Sequence, residues 1–172
     1  MGLEDKVLSR ELQDVLYESG QTLGTAESCT GGRIAEAIIS TPGASEYFKG
    51  GIVCYTNEIK ERLLGVSHEL LEEKTAVCEE VAVAMVKGAV KALNTTYAVA
   101  VTGVAGPGGG TKENPVGTIW IACGTAQETV TLMLSGDEGR DVYGNVHYSL
   151  DNGGRIWYTI HAGSEFPARF IR

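Results

Sequence analysis

The eight residues Thr25-Ala26-Glu27-Ser28-Cys29-Thr30-Gly31-Gly32 constrain this chain more than any other stretch. They follow a short apolar run, read as a strand over residues 22–26, and open a helix from Arg33 to Ser40. A strand passing straight into a helix is the unit of layered α/β folds. Small hydroxyl residues and paired glycines at such a junction let backbone N–H groups approach an anion closely. The positive end of the helix dipole favours a phosphate or a developing oxyanion there. A tight turn with a good helix cap would satisfy the same pattern. A second glycine-rich run, Thr102-Gly103-Val104-Ala105-Gly106-Pro107-Gly108-Gly109-Gly110, adds weight to the ligand reading.

Helical spacing of Val7, Leu8, Leu12, Val15 and Leu16 predicts an N-terminal helix stopped by Gly20. Gly51 to Tyr55 (GIVCY) has the compact apolar character of a buried strand. Asn57 is placed to cap a helix from Glu58 to Leu64 that Gly65 ends, and Ser67 to cap a short turn carrying His68, Leu70 and Leu71. From Glu79 to Leu93 the residues Val81, Met85, Val86, Ala89, Val90 and Leu93 mark an amphipathic helix. Residues Tyr97–Thr102, Gly117–Cys123 and Glu128–Leu134 read as strands, the last two close enough for a hairpin. The order predicts a three-layer α/β/α domain around a mixed, mostly parallel sheet. Residues 1–172 make one domain with an atypical tail over 139–172, where a helix from Val142 to Leu150 precedes irregular chain.

Composition narrows the partners. Fourteen Lys+Arg against 22 Asp+Glu give a net charge of −8 without a basic stripe, which argues against binding a nucleic-acid backbone. A small anionic ligand stays open, since local dipoles bind it regardless of net charge. No apolar stretch approaches the length of a membrane span, and the charged N-terminus is no signal peptide. Cys29, Cys54, Cys78 and Cys123 are scattered, without metal-ligand spacing, so the expectation is a cytoplasmic protein with reduced thiols and no metal. Oligomeric state is left open, a homo-oligomer included.

The residues that could carry chemistry gather at strand ends, where ligands bind in open α/β sheets. Ser45, Tyr55 and Lys60 suit an amidase: a nucleophile, a proton relay or support, and a lysine base whose pKa falls on burial. The plainer roles are a turn residue, a core-edge aromatic and a solvated lysine. Cys29, near a helix N-terminus, is either a stabilised thiolate or a small buried side chain. Neither His68, His147 nor His161 has ligand or triad context, and surface or capping roles suit all three. Cys78 stands where a helix cap belongs and caps poorly.

At TAESCTGG (25–32), GGIVCYTNEIKERLLGV (50–66) and TGVAGPGGGTKENPVGTIW (102–120) the chain resembles the nicotinamide-nucleotide amidohydrolases, the stand-alone form of the CinA C-terminal domain. The resemblance implies hydrolysis of the carboxamide of nicotinamide mononucleotide to nicotinate mononucleotide and ammonia, in pyridine-nucleotide salvage and without a cofactor. By matching motif positions it implies Ser45 as nucleophile, Lys60 as base and Tyr55 beside it, with Ser28 and Thr102 orienting substrate or contacting oxyanion and phosphate. The division of labour between Ser45 and Ser28 stays open, since both lie in family motifs. Thr30, Gly31, Gly103 and Gly106 would give close backbone approach to the substrate. One departure stands out: the family's Gly-Asp-Arg is here Gly136-Asp137-Glu138, with Arg140 two residues on as a replacement anion contact. That altered end also admits a different class, a nucleotide-binding or scaffolding module that has lost turnover.

Overall fold

The computed structural model describes residues 3–136, 146–150 and 156–160, the side chains of residues 3–9 and of the last two segments excepted. Helix α1 (Leu3–Ser19) leads to β1 (Leu23–Glu27), α2 (Arg33–Ile39), a 3₁₀ turn (Ala44–Glu46) and β2 (Phe48–Val53). Three helices follow, α3 (Asn57–Leu64), α4 (His68–Lys74) and α5 (Glu79–Leu93), then β3 (Tyr97–Gly103), β4 (Ile119–Gly124) and β5 (Thr129–Leu134). The sheet order is β2-β1-β3-β4-β5. The β1–β2 and β1–β3 pairs are parallel, and the β3–β4 and β4–β5 pairs antiparallel, so the mixed sheet divides evenly.

Strand alternation in β3 sorts the two cores. Val99 and Val101 face a cluster with Leu12, Leu16, Ile34 and Ile38, which places α1 and α2 on one side. Ala98 and Ala100 face Val81, Ala82, Met85, Val86 and Ala89 of α5 on the other. Alanines on both partners let that helix sit close to the sheet, where dispersion contacts are densest. Closer still is the approach of α3 to α5: a Cβ added at Gly88 would fall on the carbonyl of Leu64. A glycine in a helix interior costs about 1 kcal/mol relative to alanine, and this contact is what requires it.

The order 2-1-3 has a topological consequence. The chain moves from β1 outward to β2, then back across β1 to β3. Right-handed crossovers in opposite directions put their helices on opposite faces of the sheet. The chain therefore leaves β1 toward α2 on one face and leaves β2 toward α3 on the other. The carboxyl ends of β1 and β2 thus lie side by side, with the chain leaving them toward opposite faces of the sheet.

Several local readings change. The strand expected at Gly51 to Tyr55 starts earlier, at Phe48, and ends at Val53; as the outermost strand it has alternate residues exposed rather than buried. Thr56, not Asn57, caps α3, its side chain accepting from the Ile59 amide, and residues 68–74 form a helix rather than a turn. Ser67 caps that helix as expected, accepting from Leu70 N. In the tail, Val146–Leu150 pairs antiparallel with Ile156–Ile160 (β6 and β7), which replaces the helix expected at that position. The Val142 start of that helix lies outside the described residues.

Candidate active site

Strand β1 delivers Ser28 to its carboxyl end, beside that of β2. The Ser28 amide donates to Val101 O at 2.9 Å, and Cys54 N donates to Glu27 O at 2.8 Å, so both neighbouring ladders hold the strand to its last residue. Gly31 and Gly32 then take φ of +63° and +101°, left-handed values that turn the chain into α2. Ser28 stays buried at the turn.

Strand β2 and helix α3 deliver Lys60. The side chain of a helical residue points back toward the helix N-terminus, so a lysine in the first turn of α3 reaches over the end of β2. Lys60 Nζ lies 3.0 Å from Ser28 Oγ, 2.9 Å from the Cys54 carbonyl and 3.5 Å from the Tyr55 carbonyl. Lys60 is 1% exposed, and burial holds its pKa below the ordinary lysine value. Burial likewise pushes the neighbouring Cys54 thiol up to about 11, so Cys54 carries no charge near neutral pH.

This arrangement selects a direction for the proton. Two carbonyls can only accept, so two hydrogens of the lysine nitrogen point at Cys54 and Tyr55. In the neutral amine, the remaining position is a lone pair aimed at Ser28 Oγ. That is the geometry of a serine nucleophile with a lysine base.

The other expected site residues are distributed unevenly. Ser45 is exposed in the 3₁₀ turn before β2, at the sheet end opposite Lys60, because a parallel strand separates its two flanks. The structure thus brings Lys60 to Ser28 and not to Ser45. Tyr55 contributes its carbonyl to the lysine nitrogen, and the residue is 61% exposed. The Thr30 hydroxyl donates to Glu27 at 2.7 Å, and the Thr102 hydroxyl donates to the Ala76 carbonyl at 2.7 Å, so both are committed within the protein. Gly103 and Gly106 open the glycine-rich loop at the same sheet end, and a Cβ at Gly103 would strike the Thr118 carbonyl. That loop is clasped to the α4–α5 connection by Asn114 Nδ2 on Thr75 Oγ1 at 3.4 Å. Cys29 packs in the apolar cluster with Ile34 and Val101. Exposed His68 meets Glu61 at 3.0 Å, which raises its pKa. Arg140 and His161 lie outside the described residues, as does the side chain of His147.

Glu27 is the residue that sequence reasoning passed over. It is 1% exposed and accepts five hydrogen bonds: from the hydroxyls of Thr25 and Thr30 and from the amides of Gly32, Ile34 and Ala35. The N-terminus of α2 is therefore closed by the chain's own carboxylate, and the phosphate cradle expected there is already filled. A lone acid ending a small-residue strand, five positions before the helix-capping glycine, was the available signal. Among the described residues, no group of three or more His, Cys, Asp or Glu side chains could hold a metal ion. None of the described helices is long and apolar enough to cross a membrane.

Comparison with known proteins agrees with this architecture. Residues 5–148 match the family model of the CinA C-terminal domain. The nicotinamide-nucleotide amidohydrolase PncC of Escherichia coli is 47% identical over 120 residues, which cover 70% of this chain and 73% of that protein. A CinA-like protein of Gloeobacter violaceus is 43% identical over 142 residues, 81% of this chain but 33% of its own length. The chain thus spans about a third of the CinA-like relatives it matches. Among solved structures, the competence/damage inducible protein CihA of Agrobacterium tumefaciens superposes with a TM-score of 0.78 at 38% identity, covering 82% of this chain and 88% of that one. This chain belongs to the CinA C-terminal domain family.

Proposed function

We propose that this protein is an amidohydrolase that converts nicotinamide mononucleotide to nicotinate mononucleotide and ammonia, with Ser28 as nucleophile and Lys60 as general base. The contact that carries the reading is Lys60 Nζ to Ser28 Oγ at 3.0 Å. Neutral Lys60 takes the Ser28 proton as Oγ attacks the carboxamide carbon. The C–N bond then breaks, and the leaving nitrogen takes that proton from Lys60 and departs as ammonia. Water, activated by the same amine, cleaves the acyl ester to the carboxylate and regenerates Ser28.

The oxyanion needs a donor near Ser28. The amides of Ser28, Gly31, Gly32 and Arg33 are committed to Val101 O, Ser28 O, Glu27 and Thr30 O. The Thr30 amide, two residues after the nucleophile, is the donor we assign. Thr30 keeps a substrate role, then, through its backbone rather than its hydroxyl. Gly31 faces the same turn, and Gly103 and Gly106 keep the opposite wall open to the nucleotide. Arg140 is retained as a contact for its phosphate.

The decisive measurement is ammonia release from nicotinamide mononucleotide by the wild type and by Ser28→Ala. Loss of release in the variant, with mononucleotide binding kept, is expected. Wild-type binding without turnover would favour the non-hydrolytic binding module, and turnover by Ser28→Ala would remove Ser28 as nucleophile. A Cys29→Ser variant retaining activity would dismiss a thiol mechanism.

A further inference from the structure

Glu27 is adjacent to the nucleophile, is buried, and takes no part in the chemistry above. Its two oxygens divide the turn between them. Oε2 accepts from the Thr30 hydroxyl at 2.7 Å, Gly32 N at 2.9 Å and Ile34 N at 3.1 Å. Oε1 accepts from Ala35 N at 2.8 Å and the Thr25 hydroxyl at 3.3 Å. The bonded groups lie on both sides of Ser28, in β1 before it and in the turn and α2 after it. Ser28 is therefore the one short span between a fixed strand and a helix anchored on the preceding side chain. Glu27's own carbonyl binds Cys54 N, and the Cys54 carbonyl receives Lys60 Nζ. One residue thus sets the position of both partners, through its side chain on the serine side and its backbone on the lysine side.

We infer that Glu27 is a positioning residue for the amidase reaction: its carboxylate substitutes for a ligand anion at the start of α2 and holds Ser28 Oγ on the Lys60 nitrogen. The inference rests on the Ser28–Lys60 reading. Glutamine is the informative replacement because it keeps the shape. With its amide oxygen at the three-donor position, its NH₂ would face the Ala35 amide, donor against donor. Relief of that clash displaces the turn. Displacements of about 1 Å cost reactions of this kind on the order of 10²-fold.

The test uses diisopropyl fluorophosphate, which needs no knowledge of the natural substrate. Ser28 Oγ attacks phosphorus, the P–F bond breaks, fluoride leaves, and the hydroxyl proton passes to Lys60. The labelling rate at Ser28, located by peptide mass spectrometry, is followed against pH in the wild type and in Glu27→Gln. The expected result is a maximal rate at least about tenfold lower in the variant with an unchanged pH midpoint. For ammonia release, kcat should fall while KM stays within about threefold. A variant rate within twofold of wild type would overturn the inference. So would an unchanged maximal rate with a shifted midpoint, since Glu27 would then act through its charge on Lys60. No labelling of wild-type Ser28 would instead remove the dyad, a failure visible before any variant is made. Should Glu27→Gln not fold, Thr30→Val removes the shortest of the five bonds and keeps the Thr30 amide. About three- to tenfold slower labelling is expected of it, and a wild-type rate would overturn the inference equally.

Discussion

Ser45 and Lys60 stand at opposite ends of strand β2, the serine before Phe48 and the lysine nitrogen against the carbonyls that follow Val53. A six-residue strand spans roughly 17–20 Å, well beyond the reach of a lysine side chain. Ser45→Ala should therefore leave ammonia release within about threefold of wild type, whereas Lys60→Ala should lower kcat by about 10³-fold or more. Steady-state kinetics on nicotinamide mononucleotide would separate the two.

Lys60 also links stability to pH. Its pKa in the folded protein is lowered by burial, so between that value and the ordinary lysine value the unfolded chain binds the extra proton. Stability contributed by this site then rises with pH through that window, by at most about 1.4 kcal/mol per pH unit, and is flat on either side. Below the window the native state carries a buried ammonium and is at its least favourable. The stability of the wild type minus that of Lys60→Met should increase across the window, whatever the constant offset from lost hydrogen bonds. Denaturant titrations at a series of alkaline pH values would measure it; a pH-independent difference would contradict the lowered pKa.

Gly88→Ala sets two opposite effects against each other. Helix propensity favours alanine by about 1 kcal/mol. The new Cβ would strike the Leu64 carbonyl, and overpacking of this kind costs about 1–3 kcal/mol or more. The steric effect wins, so a lower Tm is expected. Because Leu64 ends the helix that carries Lys60, kcat should fall as well, and thermal melts with parallel ammonia assays would show both.

Cys78 precedes Glu79 as the N-cap of α5, and its side chain makes no capping hydrogen bond. Cys78→Ser supplies an oxygen acceptor and should be neutral to about 1 kcal/mol stabilising. Thr56→Ala provides the contrast, since Thr56 accepts the Ile59 amide at 3.3 Å, and should cost about 0.5–2 kcal/mol. The urea midpoint should fall for Thr56→Ala and hold or rise for Cys78→Ser.

Helix α5 was legible residue for residue because fifteen positions of sustained periodicity leave no competing reading. Strand β2 was not, because apolar content says nothing about whether a strand has one neighbour or two, and here it has one. Lys60 was legible as a candidate base, since it lay in a recognisable motif. Which serine Lys60 reaches was not legible, because motif membership says nothing about which end of a strand a residue occupies. Parallel pairing of β1 and β2 decides that: residues following both strands meet, and a residue preceding one of them cannot join. Glu27 was hidden for another reason. Its role arises from five donors spread over eleven residues, most of them backbone amides that no side-chain pattern reveals.

The glycine-rich loop leaves β3 beside the point where β4 begins, for Gly103 pairs with Ile119, and Val104 exchanges hydrogen bonds with Thr118 and Gly117. Its two feet are thus tied together independently of whatever lies between them. Closing a loop costs free energy that grows only as the logarithm of its length, about 0.6 kcal/mol per doubling. Insertions and exchanges among the exposed residues 107–110 therefore leave the strand ends and the Ser28–Lys60 pair where they are. On the proposed amidase reading, a library confined to that loop is the direct route to altered nucleotide choice.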